Sequence, residues 1–576
     1  MKRDNFTLPL GLPDEMIVDN FAGGGGASKA ILMALGREPD IAINHDGEAL
    51  CMHAANHPTT RHYQEDVFLV HPGFVTNQQP IGLAWFSPTC THFSRAKGDN
   101  ILNQKLRGLA WVTLKWAAFQ APRCIFLENV EEFQGWCPLD AKGKPIKNLK
   151  GRTFNAFVKA LSTGLDKEHP DLAEIHETLG GDFPIDRLYR GLGYKVEWKV
   201  IRACDFGAPT IRKRLFMIMR RDGLPIVWPE PTHGDPESLA VKNGKLLPWK
   251  TAADCIDWSI KCPSILFDRK RPLKPKTLQR IGRGFERYVK DAESPFIAPV
   301  SIDGVLRADH ITKFNTGSIG HDMRVPMATA TSGGGAARPA GAPHGLGVVS
   351  ASLVQYYSGG SQNRSMDDPM PPAVTHDRIA VTCAHLVGID NQSAGTGAAW
   401  SASKPINTIV TENRHALVTS HCVKLRNHQF GQSMLEPVGT LTAGGGHVGE
   451  VRTTLSASSN TEARRQAVRE FLWEYCPSLA GVERPELVMI NGVWMEVVDI
   501  GLRMLIPREL ANAQGFPPDY ILDPEYTYTD KKGKAKTKRL PGYAQVRMIG
   551  NSVSPPPARA LIEANFKHEQ QIARVA

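Results

Sequence analysis

The chain has 576 residues, of which 42% are hydrophobic and 22% charged, the balance of a water-soluble globular protein with room for more than one domain. Its 68 Lys and Arg against 58 Asp and Glu leave a net charge of +10, which permits a polyanionic partner without demonstrating one. The ten cysteines are scattered, with no CxxC pair and no Cys/His cluster at zinc spacing, and no apolar run could span a bilayer, so a disulfide framework, a metal site and a membrane span are set aside.

The start, MKRDNFTLPLGLPDE, has no signal-peptide core, and a cytoplasmic protein is expected. The first 230 residues alternate between strand and helix. EMIVDNF (15–21) predicts a strand and ASKAILMALG (27–36) a helix stopped by Gly36. DIAINHD (40–46) is a second strand, followed by a helix through 47–58. IGLAWFS (81–87) is a strand, NQKLRGLAWVTLKWAAFQ (103–120) a long amphipathic helix, and RCIFLENV (123–130) a further strand. That rhythm predicts an α/β fold, a doubly wound parallel Rossmann-like sheet. A helical, Lys-rich insertion is expected over about 139–193. Residues 194–209 and 212–221 then supply a last strand and hairpin.

The character changes after about 230. Residues 274–290 read as a basic amphipathic helix. The stretch from about 295 to 450 is rich in Gly, Ser, Thr and His, with short β-branched runs. VPMATATSGGG (325–335), PPAVTHD (371–377), PINTIVTEN (405–413) and PVGTLTAGGG (437–446) resemble one another, either as an array of repeats or as similar hairpins by chance. A β-rich second domain over 231–498 is expected, with helices again at 461–476, 504–517 and 545–566. TDKKGKAKTKRL (529–540) concentrates positive charge and reads as a solvated, mobile loop.

Chemistry gathers on one edge. FAGGGG (21–26) follows the first strand and opens a helix, the setting in which a glycine turn lets a nucleotide-like cofactor approach a helix N-terminus. Asn44 and Asp46 close the second strand, and Asp66 follows in YQEDV. Parallel sheets bind ligands at the carboxyl ends of their strands. Cys90 in FSPTCTHFS and Glu128 in ENV should emerge there, while Arg212 and Arg214 alternate onto one face of a strand.

In order, FAGGGG, SPTCTHFS, ENV, TIRKR, PRELANAQGFP and GNSV resemble the motif set of the DNA (cytosine-5)-methyltransferases, and the pattern around Cys90 resembles the bacterial and phage branch. The resemblance covers 15–225 and 500–560. It implies S-adenosyl-L-methionine as cofactor, double-stranded DNA as partner, a monomer, and no metal. It also implies a target-recognition domain between the two blocks, with 499–576 returning to complete the catalytic domain. Cys90 matches the nucleophile that attacks C6 of a flipped cytosine, and Glu128 the carboxyl that grips the N3/N4 edge. Arg214 matches the arginine that holds O2, with Arg212 in support. For the cofactor, the resemblance implies Phe21, Ala22, Gly23, Gly25 and Gly26 in the turn. It adds Asn44 and His45 after the second strand, Asp66 and Val67 after the third, Pro88 before the nucleophile, and Asn551 and Ser552 in the late motif. Three positions depart from the family pattern. Asn44 stands where the family has Glu; Thr89 separates Pro88 from Cys90, with Thr91 in place of Gln; and Thr210 replaces the first Gln of QxRxR. An RNA methyltransferase of the same chemistry, a non-catalytic DNA-binding homologue and an NAD-dependent oxidoreductase are the competing readings.

Overall fold

The computed structural model describes residues 15–89, 108–140, 142–260, 262–293, 295–298, 462–490, 493–529 and 533–567, together with the backbone of short strands between 307 and 453. Its first half is built on seven strands: β1 (Met16–Asn20), β2 (Ile41–Ile43), β3 (Arg61–Tyr63), β4 (Ile81–Phe86), β5 (Cys124–Asn129), β6 (Lys195–Arg202) and β7 (Lys213–Arg220). They lie in the order β3-β2-β1-β4-β5-β7-β6. β1 to β5 are parallel, whereas β7 runs antiparallel to both β5 and β6. The fold is thus the expected doubly wound α/β sheet, closed at one edge by an antiparallel hairpin.

The central strands are apolar on both faces because both faces are covered. Alternate residues part company. Val18, Ala84, Phe86 and Ile125 join one core, while Ile17, Leu83, Trp85 and Phe126 join the other. Helix α1 (Gly26–Leu35) covers the second face and ends at Gly36, whose left-handed backbone caps Leu32. Helices α2 (Gly47–Asn56) and α3 (Pro72–Val75) follow β2 and β3. The expected 103–120 helix is described from Gly108, as a 3-10 turn running into α4 (Val112–Phe119). It is buried nearly all round rather than amphipathic. The helices Arg152–Leu161 and Asp171–Leu179, within the expected insertion, cover its far side through Phe157, Leu161 and Ile175. Even Lys115 is buried, and its ammonium donates to the Phe68 carbonyl at 2.7 Å.

A second seven-stranded sheet follows, with the helices Pro275–Phe285 and Glu462–Tyr475 against it. Its last strand, Val493–Met504, continues past the expected boundary at 498. The first and last of the four similar sequence units pair with each other: Met327–Thr331 lies parallel to Val438–Thr442, with Thr329 opposite Thr440. The two middle units lie outside the described residues.

The chain then returns to the first sheet. Helices Pro507–Gln514 and Gly542–Asn551 share a core with Ala49 and Met52 of α2, and Pro555–Ile562 packs on Ala30, Ile31 and Ala34 of α1. At the crossing, Arg503 grips Glu509 with two parallel contacts of 2.8 Å, both side chains buried. The basic stretch expected as a loop forms instead a two-stranded hairpin, Glu525–Thr529 with Ala535–Arg539. Tyr526 and Tyr528 on one strand give the lysine-bearing strand a packed partner, which a mobile loop would lack.

Candidate active site

The turn after β1 is conformationally demanding. Phe21 holds φ at 63°, a left-handed value rarely adopted by a bulky side chain, and such outliers cluster at functional sites. Gly25 stands at φ 91° as the N-cap of α1, offering no side chain of its own to the first-turn N–H groups. The turn is held from the far end of the chain. Ser552 Oγ accepts from the Gly26 N–H at 3.1 Å, and the Tyr520 hydroxyl donates to the Gly24 carbonyl at 2.6 Å. A Cβ on Gly26 would clash with the Val553 carbonyl and Ser552 Oγ, and one on Gly25 with the Tyr520 hydroxyl.

Beneath the turn lies a buried polar chain. Ser28 Oγ donates to Asp19 Oδ2 at 2.7 Å, His53 Nε2 lies 2.8 Å from Ser28 Oγ, and His62 Nε2 lies 2.8 Å from His53 Nδ1. Burial raises the Asp19 carboxyl to about 7 and pushes the His53 imidazole well below its ordinary value. Burial likewise lowers neighbouring His57 to about 4. The Asn20 side chain is fully buried, and both its polar atoms lack a hydrogen-bond partner among the described residues.

The carboxyl ends of the next strands carry the expected acceptor groups. Asn44 Oδ1 receives the Asp46 N–H at 2.9 Å; His45 beside it is exposed. Asp46 caps α2 and, with Glu48, pairs with Arg547 of the returning helix. Asp66 Oδ1 receives the Phe68 N–H at 3.1 Å, Val67 points into the core, and Ala22 is buried in the turn. Asn551 is exposed at the end of its helix, whereas Ser552 is buried against the turn.

Beyond β4, Pro88 and Thr89 are described, while Cys90 and the rest of its loop to 107 lie outside the described residues. Asn129, at the end of β5, ties the base of that loop down by donating to the Pro88 carbonyl at 3.2 Å. Glu128 beside it is buried, with Arg214 Nε 3.0 Å and Arg212 Nη2 3.6 Å from its Oε1. Neither approach is aligned as a hydrogen bond to that oxygen. Arg212 is itself buried and donates to the Gly550 carbonyl at 3.2 Å. Thr210, in the departing position, accepts the Arg212 N–H at 3.4 Å.

These contacts close a ring. The glycine turn meets Ser552, the adjoining Gly550 meets Arg212, and Arg212 and Arg214 meet Glu128. Its neighbour Asn129 meets Pro88, and the Ser87 N–H returns to the Asn20 carbonyl at 3.3 Å. All lie at the carboxyl rim of the sheet, where open α/β sheets hold ligands. Sequence reasoning missed Asp19, Ser28, His53 and Tyr520, which carry no local signal, and placed Asn129 beside Glu128 at the strand end without giving it a role.

A family model described as C-5 cytosine-specific DNA methylase matches residues 187–253, the segment that carries Arg212 and Arg214. The type II methyltransferase M.AquIA of Picosynechococcus sp. is 24% identical over 252 residues, 42% of this chain and 88% of that protein. M1.HphI of Haemophilus parahaemolyticus is 49% identical over 49 residues, and M.SacI of Streptomyces achromogenes 35% identical over 75 residues. Those two matches span 8% and 12% of this chain, and only 13% and 19% of the respective relatives. Among the described residues no helix is long and apolar enough to cross a membrane.

Proposed function

We propose that the chain is a C-5 cytosine-specific DNA methylase, which flips a cytosine out of duplex DNA and methylates C5 by way of Cys90; the family match over 187–253 and the similarity to a type II methyltransferase support this reading. The observation that carries this reading is the ring of contacts that brings Glu128, Arg212 and Arg214 to the rim occupied by the glycine turn and the anchored Pro88.

The residues present fit S-adenosyl-L-methionine. Phe21 holds a left-handed backbone at the turn, Gly25 caps α1 without a side chain, and the buried Asn20 amide has no hydrogen-bond partner among the described residues, a polar group left available to a ligand there. Phe21, Ala22, Gly23, Gly25, Gly26 and Ser552 would hold its methionine end. Asn44 and His45 would face the ribose, with Asp66 and Val67 at the adenine and Pro88 and Asn551 closing the pocket. When bound, this group supplies an electrophilic methyl. The Cys90 thiolate adds to C6, which makes C5 enamine-like and nucleophilic. Glu128 holds the N3/N4 edge and stabilises a proton at N3 as the ring becomes electron-rich, while Arg214, supported by Arg212, holds O2. Loss of the C5 proton to a base then expels Cys90. The type II names of the relatives support a modification role on DNA, with the β-rich region between the two blocks reading the target.

Duplex DNA containing 5-fluorocytosine tests the reading. With cofactor present it should form a denaturant-stable adduct with the wild-type protein and none with Cys90→Ala. Methylation by Cys90→Ala at the wild-type rate would overturn the mechanism.

A further inference from the structure

We infer that Asp19 matches its charge to that of the cofactor, ionised when S-adenosylmethionine fills the glycine turn and protonated when S-adenosylhomocysteine does, and that Ser28, His53 and His62 pass the proton between it and solvent; this rests on the reading of the turn as an S-adenosylmethionine site. The four side chains come from four elements. Asp19 lies near the end of β1, Ser28 in the first turn of α1, His53 in the last turn of α2 and His62 in β3. Asp19, Ser28 and His53 are fully buried, whereas His62 is half-buried on the edge strand of the sheet. The chain thus has one buried end and one end that meets water.

Counting protons leaves two arrangements. If Asp19 is ionised, Ser28 donates to it and has no proton left for His53. His53 Nε2 then donates to Ser28, and His53 Nδ1 accepts from His62 Nε2. The His62 ring becomes a cation once its other nitrogen also holds a proton, a state that the Thr60 backbone beside it favours. If Asp19 is protonated, every link reverses: Asp19 donates to Ser28, Ser28 to His53 Nε2, and His53 Nδ1 to His62 Nε2. Both arrangements use the same contacts of 2.7, 2.8 and 2.8 Å. They differ by one proton moved across each link, so a proton leaving Asp19 emerges at His62 and passes to water.

The buried end lacks a counter-charge. Asp19 Oδ1 has no hydrogen-bond partner among the described residues, and the strands on either side set Ala42 and Trp85 opposite it. The charged and titratable groups around the chain are Lys29 on α1, Glu38 after it, His57 on α2 and Tyr520 on the returning segment. Glu38 Oε1 lies 4.0 Å from His57 Nδ1, and Lys29 Nζ 6.0 Å from the centre of the Tyr520 ring. Burial raises the Asp19 carboxyl to about 7, so a charge nearby decides its state. Asp19 also raises the Tyr520 phenol, whose hydroxyl sits on the Gly24 carbonyl, which puts the carboxyl within electrostatic reach of the turn. Methyl donor and product differ by one positive charge, at sulfur. A cation on the turn favours the carboxylate, and its loss on methyl transfer returns the proton to Asp19, so the site prefers the donor over the spent product.

The test titrates the full-length protein with S-adenosylmethionine and with S-adenosylhomocysteine at pH 7, by calorimetry in two buffers of different ionisation enthalpy. Asp19→Asn reports what the ligands' own groups contribute, and the wild-type excess belongs to Asp19. That excess should be about half a proton released with S-adenosylmethionine, falling to about a tenth at pH 8, and near zero with S-adenosylhomocysteine. Asp19→Asn should also lose most of the preference for the donor. A second measurement needs no Asp19 variant. Nitrogen NMR at pH 6 on protein with isotope-labelled histidine, with His53→Gln identifying the His53 signals, should find the His53 proton on Nε2 in the S-adenosylmethionine complex and on Nδ1 in the S-adenosylhomocysteine complex. Equal proton release by the two ligands, or one His53 tautomer in both complexes, overturns the inference. Absence of binding by both ligands overturns the cofactor reading beneath it, and is visible before any proton is counted.

Discussion

Ser552 Oγ accepts the Gly26 N–H at 3.1 Å, joining two residues 526 positions apart in the chain. The bond shows that the glycine turn is not a self-contained loop but half of a clasp. Ser552→Ala removes one buried acceptor and should cost about 1–3 kcal/mol, because the Gly26 N–H is left unsatisfied. Gly26→Ala should do worse, because its methyl displaces both Ser552 and the Val553 carbonyl. The expected result is at least a tenfold loss of S-adenosylmethionine affinity, about 1.4 kcal/mol, measured by calorimetry. An alanine that binds cofactor normally would show that the late segment is not needed at the turn.

Gly25 and Tyr520 offer a separable version of the same test. Gly25→Ala suffers twice, from a left-handed backbone and from collision with the tyrosine hydroxyl. Tyr520→Phe removes the collision but leaves the backbone penalty, so the double variant should recover part of the stability that Gly25→Ala loses. Thermal denaturation of the four proteins of the cycle gives the coupling. Strict additivity would mean that the two residues do not meet.

Glu128 faces two arginines, and Glu128→Gln keeps its shape while removing its charge. Turnover should fall by about 10²–10⁴, the usual worth of a positioned acid–base group, while duplex affinity changes only a fewfold. Single-turnover methylation and gel-shift titration read the two quantities. An unchanged rate would remove Glu128 from the chemistry.

Asp19 makes stability depend on pH. Its carboxyl lies near 3.8 when unfolded and about 7 when folded, so the folded state binds the extra proton between those values. Stability from this group is therefore greatest below about pH 4 and falls as pH rises to about 7. His53 and His57 are shifted in the opposite sense and oppose folding as pH falls below the ordinary histidine value, but they remain in both proteins under comparison. Asp19→Asn should therefore gain on the wild type as the pH of urea denaturation moves from 5 to 8. A constant difference would mean that Asp19 does not titrate in that range.

The Arg503–Glu509 pair joins the second sheet to the helix that returns to the first. Glu509→Gln leaves a buried guanidinium without its counter-charge and should cost about 3–5 kcal/mol, whereas replacing both residues by methionine should restore much of that. Urea midpoints would show both. A Glu509→Gln variant as stable as the wild type would mean that the pair is dispensable.

Much of the first sheet was legible because its strands are continuous apolar runs cut by glycine turns, and Gly36 stops α1 where its position suggested. The burial of α4 was not legible. Its apolar residues run all round, but what covers its outer side is supplied by helices some 40 to 70 residues further on. The lysine-rich hairpin was misread because composition counts charge and does not see the tyrosines aligned across from it. At the site, Glu128, Arg212 and Arg214 could be picked out by residue type and order. The supporting contacts of Ser28, His53 and Tyr520 could not, because nothing local in a tyrosine at 520 reports a carbonyl at 24.

The clasp also has a consequence in time. A ribosome adding about 5–20 residues per second needs roughly half a minute to two minutes to travel from Gly26 to Ser552. Throughout that interval the first strands are without their closing helix, and α1 shows its apolar face, Ala30, Ile31 and Ala34, to the cell. That face of the nascent chain stays open to other apolar surfaces until the helix Pro555–Ile562 has been made and packs against it.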